Sequence, residues 1–174
     1  MEKSNSEPSI EMPRGLQLSP SQEKLIQRIL DRVLVTCPAQ FILLAEISGQ
    51  LISVHGEKGN TDPGALGALV AGDLSASQEM ARITGQYQHA QLILREGSDT
   101  TTFISEVGEK MVLYMRINKE EPLGWARLMI LQACHALLEV ISAPAQDVEK
   151  LELDLSEEQL NTLIEDGLDS IWHD

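Results

Sequence analysis

DPGALGALVAGDLSASQEMARI, running from Asp62 to Ile83, is the stretch whose reading decides the fold. Asp62 is a good helix N-cap and Pro63 suits the first helical position, so a helix opens here. At ~100° per residue, Leu66, Leu69, Val70, Leu74 and Met80 gather on one side. The opposite side carries Gly64, Ala68, Ala71, Gly72, Ser75 and Glu79. A helix face turned to water is usually charged; this one is flat and small. The interior glycines Gly64, Gly67 and Gly72 each cost roughly 1 kcal/mol against alanine. Two readings compensate that cost: another helix or another protein lies close against the bare face, or the helix is buried in a crowded core.

Strand patterns flank this helix. Upstream, Phe41-Ile42-Leu43-Leu44-Ala45 is a continuous apolar run that suits a strand covered on both faces. Ser48-Gly49-Gln50 turns the chain, and Leu51-Ile52-Ser53-Val54 returns as a hairpin partner. Downstream, the helix stops around Gly85. From His89 to Glu96 the pattern alternates, with Ala90, Leu92 and Leu94 on one face. Thr100 to Val107 is β-branched, Gly108-Glu109 fits a two-residue turn, and Met111, Leu113, Met115 and Ile117 share one side of a further strand. Ser19, Pro20 and Gln22 form a capping box ahead of the stripe Leu25, Ile26, Ile29, Leu30, Val33 and Leu34. Pro122 opens a last long helix to about Ile141. The order α-β-β-α-β-β-β-α predicts an α+β sandwich: a five-stranded antiparallel sheet with helices on both faces.

The expected organisation is a flexible arm over 1–18, a folded domain over 19–142 and an acidic tail over 143–174. In the tail, Leu151, Leu153 and Leu155 alternate with acids, and Ser156 with Gln159 forms a second capping box. Leu160, Leu163, Ile164, Leu168, Ile171 and Trp172 then make an apolar stripe at helical spacing. An amphipathic helix of ~15 residues is marginal alone, so the stripe is expected to dock, either on its own body or on a partner.

Formal net charge is −14. Residues 144–174 hold ten acids against Lys150 alone, so −9 lies there and −5 in the rest. Such acidity disfavours nucleic acid and anionic lipid, which attract basic stripes. Cys37 and Cys134 make no disulfide framework, and no apolar run approaches ~18 residues, so a cytoplasmic protein is expected. The glycines between Gly56 and Gly67 lack the Lys of a phosphate loop. His55, His89, His135 and His173 show no zinc-type spacing, and no nucleophile elbow exists. Cys134 reads as a core thiol and Glu46 as a solvated strand end. No catalytic residue, metal or cofactor is expected.

The stretches FILLAEISGQLISVHG, LGALVAGDLSASQEMARITGQ and EEPLGWARL, with the element order, resemble the Roadblock/dynein light-chain family. Over about residues 20–142 the chain is most similar to bacterial MglB-type regulators of small Ras-like GTPases. The acidic tail is similar to one in MglB-type members. The resemblance implies a homodimer that pairs its second helices and an edge strand, here Ala90, Leu92 and Leu94, across a two-fold axis. It implies that a small Ras-like (MglA-type) GTPase docks on the second-helix face, here Gly64, Ala68, Ala71, Gly72, Ser75 and Glu79. It further implies a regulator with no catalytic side chain of its own, one that biases the switch loops of its partner. Arg82, Arg95, Arg116 and Arg127 are conceivable inserted arginines, set against solvated or ion-paired roles. Two other readings stay open: a dimeric scaffold tethering a motor or membrane-associated complex, and a small-molecule sensor. No direct membrane insertion is expected.

Overall fold

The computed structural model describes residues 16–37, 39–86, 92–144 and 148. Its elements are α1 (Pro20–Thr36), β1 (Ala39–Glu46), β2 (Leu51–Gly56), α2 (Pro63–Ile83), β3 (Leu92–Glu96), β4 (Thr100–Val107), β5 (Met111–Asn118) and α3 (Leu123–Ser142). The strands form one antiparallel sheet in the order β2-β1-β5-β4-β3, so β2 and β3 are its edges. The long connection through α2 lets the chain leave one edge hairpin and start again at the opposite edge.

Alternation along the central strands divides the core between two faces. Ile42, Leu44, Met111, Leu113, Met115 and Ile117 pack under α1 and α3. Phe41, Leu43, Ala45, Val112 and Tyr114 pack under α2. A strand covered on both faces needs apolar residues throughout, which is what β1 supplies from Phe41 to Ala45.

The α1 capping box is present: Gln22 N–H donates to the Ser19 hydroxyl, and the Ser19 N–H donates to Gln22 Oε1. The amide nitrogen of Gln22 also donates to the Val140 carbonyl on α3, at 3.1 Å, so one side chain caps α1 and ties two helices together. Beyond α3, Val148 is fully buried in the same core, so at that point the chain packs onto its own domain. Helix α3 is long and apolar enough to cross a membrane by length and composition, despite the expectation that no such run existed. Its apolar composition is accounted for by Ala126, Met129, Ile130, Ala133, Leu137 and Val140, all buried against the sheet side.

Several local expectations are corrected. Val107 pairs with Met111, so Gly108-Glu109-Lys110 is a three-residue loop rather than a two-residue turn. The described part of β3 runs from Leu92, and Ala90 lies outside the described residues, as do the arm before Leu16 and the tail stripe Leu160, Leu163, Ile164, Leu168, Ile171 and Trp172. Glu46 is buried rather than solvated. Its carboxylate accepts from the Leu16 backbone N–H at 2.8 Å and from the Ser48 hydroxyl at 3.2 Å. The segment entering α1 therefore folds over the end of β1 and removes water from it.

Candidate functional site

Among the described residues helix α2 alone covers its side of the sheet, and its orientation departs from the sequence expectation. The residues facing the sheet are Gly67, Val70, Ala71 and Leu74. Leu69 and Met80, expected among them, are 71% and 61% exposed. Ala71, expected on the outer small face, is buried. The helix is rolled toward its small residues because it approaches the β1–β2 hairpin closely. A Cβ added at Gly67 would lie 3.2 Å from the Gly49 carbonyl oxygen and 3.5 Å from Ala45 Cβ. A Cβ added at Gly49 would lie 2.8 Å from Ala68 Cα. Gly49 also has φ of 89°, a left-handed conformation that side chains disfavour. Small residues at the contact let the helix sit low, and that contact, rather than the sum of hydrophobicity, sets the roll.

Low packing at one side turns larger residues out at the other. Leu69, Met80 and Ile83, the last 76% exposed, join Ala65 and Ala76 along one outward stripe. Their spacing keeps them on one side of the helix. Beside it lie the exposed Gly64, Ala68, Ser75 and Glu79. A Cβ at Gly72 would meet nothing within 4 Å. So the crowded-core reading holds for Gly67 and Ala71, while Gly64, Ala68, Gly72 and Ser75 stay open at the surface. The Ser75 hydroxyl donates back to the Ala71 carbonyl at 2.9 Å, which satisfies it within the helix. Glu79 pairs with Arg82 one turn on.

The four candidate inserted arginines are placed as follows. Arg95 on β3 pairs with Asp73 of α2 at 2.5 Å and pins the helix to the sheet edge. Arg116 donates to the Glu57 carbonyl at 2.9 Å and lies over the Phe41 ring, 5.4 Å from its centroid. Arg82 pairs with Glu79, and Arg127 is exposed on the first turns of α3. The β3 edge beside α2 presents Leu92, which packs toward the α1–α3 core, and the exposed Leu94.

The thiols are core groups. Burial pushes Cys37 up to about 11 and Cys134 up to about 12, so both stay protonated and unreactive at neutral pH.

One polar cluster goes beyond the sequence expectations. On the opposite edge of the sheet, Ser53 Oγ lies 2.8 Å from His55 Nε2, and His55 Nδ1 lies 2.6 Å from Asp31 Oδ1 on α1. The strand period could have signalled part of it, since residues two apart in β2 share a face. The contribution of Asp31 is tertiary. Ser53 also lines a cavity of about 250 Å³ with Leu16, Glu23, Ile26, Gln27 and Glu46.

A sheet with one helix on one face and two on the other, in this strand order, is a Roadblock-type fold. It is related to that of MglB. Myxococcus xanthus MglB superposes with a TM-score of 0.68 at 26% identity, over 75% of this chain and 99% of that one. The gliding protein MglB of Thermus thermophilus gives 0.64 at 22%, over 75% and 98%. A Roadblock/LC7 domain from Streptomyces avermitilis gives 0.58 at 17%, over 70% and 98%. No family model and no curated relative matches the sequence.

Proposed function

We propose that this protein is a homodimeric regulator of a small Ras-like GTPase, acting in the cytoplasm through the outer side of α2 and supplying no catalytic side chain to GTP hydrolysis. The single observation that carries the reading is the outward stripe of Leu69, Met80 and Ile83 beside the bare surface of Gly64, Ala68 and Gly72. The likeness to MglB supports it.

The two halves of that surface suit different contacts. Large exposed side chains at helical spacing interlock with a second copy of themselves across a two-fold axis, where each residue meets its own mate or a near neighbour. The β3 edge lies on the same side of the molecule's rim and offers unpaired backbone groups to its mate. The small flank of Gly64, Ala68, Gly72 and Ser75 then lets a partner approach the helix backbone. In this arrangement the dimer presents a fixed shape, and it acts by favouring one arrangement of the switch loops on the GTPase.

Paired substitutions separate the two contacts. Leu69→Asp with Met80→Asp is expected to yield a monomer by light scattering with unchanged far-UV circular dichroism. Ala68→Arg with Gly72→Arg is expected to leave the dimer intact and to abolish binding and stimulation of a candidate GTPase. A dimer that survives the first pair, or full stimulation with the second, overturns the assignment.

A further inference from the structure

The Ser53–His55–Asp31 cluster has the connectivity of an activated nucleophile. The Asp31 carboxylate only accepts hydrogen bonds, so the 2.6 Å contact requires the proton on His55 Nδ1. In the neutral imidazole, Nε2 is then the unprotonated nitrogen facing Ser53 Oγ at 2.8 Å. The serine hydroxyl then donates to Nε2, the orientation in which an imidazole can take its proton. Nucleophile, base and orienting carboxylate are recognised by such geometry and not by their order in the chain. The imidazole is largely shielded, with 13% of its side chain exposed, while Asp31 is 66% exposed.

Two further features surround the hydroxyl. Ser53 lines the cavity of about 250 Å³ at the mouth between α1 and β2. β2 is an edge strand, so alternate backbone groups along it face away from β1. The cavity is also lined by the carboxylates of Glu23 and Glu46, which repel an anionic substrate.

We infer that Ser53 is an acyl-accepting nucleophile, with His55 as its general base and Asp31 positioning the imidazole, for short neutral or cationic acyl esters. Ser53 Oγ bonds to the acyl carbon while its proton passes to His55 Nε2. The ester C–O bond breaks, and the departing alkoxide takes that proton. Water then bonds to the acyl carbon and gives a proton to Nε2; the acyl C–Oγ bond breaks, Ser53 Oγ takes that proton back, and the carboxylic acid leaves.

The test uses the full chain with p-nitrophenyl acetate, read by intact mass and peptide mapping. The expected result is one acetyl group on Ser53 and none in Ser53→Ala of unchanged melting temperature. His55→Ala is expected to slow acetylation of Ser53 roughly a hundredfold, and added free imidazole is expected to restore it, which a purely structural histidine would not allow. Asp31→Glu is expected to keep most of the rate and Asp31→Asn to lose it. Absence of both an adduct and Ser53-dependent release of p-nitrophenolate, an adduct that maps elsewhere, or equal labelling of Ser53→Ala overturns the inference. Because Ser53 lies on β2 rather than on α2, failure here leaves the GTPase reading untouched, and the reverse also holds.

Discussion

The two faces of the sheet are covered in opposite ways. On one, α1 and α3 lie side by side, and large residues such as Leu25, Leu30, Ile130 and Leu137 fill the space beneath them. On the other, α2 is the one helix among the described residues, seated by Val70, Ala71 and Leu74 with Gly67 against the hairpin. The first face is finished within the subunit. The second leaves Leu69, Met80 and Ile83 in water. Exposed apolar side chains clustered on one helix suit a surface for association, so the face with the smaller core is the one to which the proposed contacts are assigned.

The largest effect expected from this contrast is on core truncation. Leu30→Ala under α1 and Leu74→Ala under α2 should each lose about 3 kcal/mol in urea unfolding, because both are buried. Leu69→Ala should change the monomer's stability by no more than about 0.5 kcal/mol, because that side chain is already in solvent. A large loss at Leu69 measured at a concentration where the protein is monomeric would place that residue inside the subunit's own core.

A sharper comparison lies between two glycines near the same helix. Gly49→Ala should destabilise by about 2 kcal/mol, since the new methyl meets Ala68 Cα and the backbone is left-handed. Gly72→Ala should stabilise the monomer by about 0.5–1 kcal/mol, because the site is helical and open. Thermal melts of the two variants should move in opposite directions; movement of both downward would break the claim that Gly72 is unpacked.

The smallest difference expected is between the helix caps. Ser19→Ala removes one half of a reciprocal box on the double-helix face, and about 1 kcal/mol should go with it. Asp62→Ala removes only bonds to the Gly64 and Ala65 N–H groups and should cost about 0.5–1 kcal/mol. Gln22→Ala should cost more than Ser19→Ala, because it also releases the Val140 carbonyl. Chemical denaturation of the three variants ranks them directly.

Much of the architecture was legible in the chain. Capping residues at Ser19 and Asp62, the uninterrupted apolar run from Phe41 to Ala45 and the alternation of Met111, Leu113, Met115 and Ile117 are local signals, and each element formed where its signal stood. The site was less legible. Placing Leu69 and Met80 inward and Ala71 outward follows from summing hydrophobicity around α2, a sum that takes no account of how near the hairpin comes. Glu46 reads as a solvated strand end because the segment at Leu16 that covers it is distant in sequence. Ser53 and His55 are readable as neighbours on one strand face, but nothing local points from them to Asp31.

The amino-acid sequence by itself determined the kind and order of the elements and the starts of the capped helices, because capping, periodicity and turn chemistry act within a few residues of themselves. Only the tertiary structure decided which side of α2 faces the sheet, since that depends on Gly49 and Gly67 meeting across the fold at van der Waals distance. It alone decided that Leu69, Met80 and Ile83 end on the outside, and that a serine, a histidine and an aspartate from two elements stand in line.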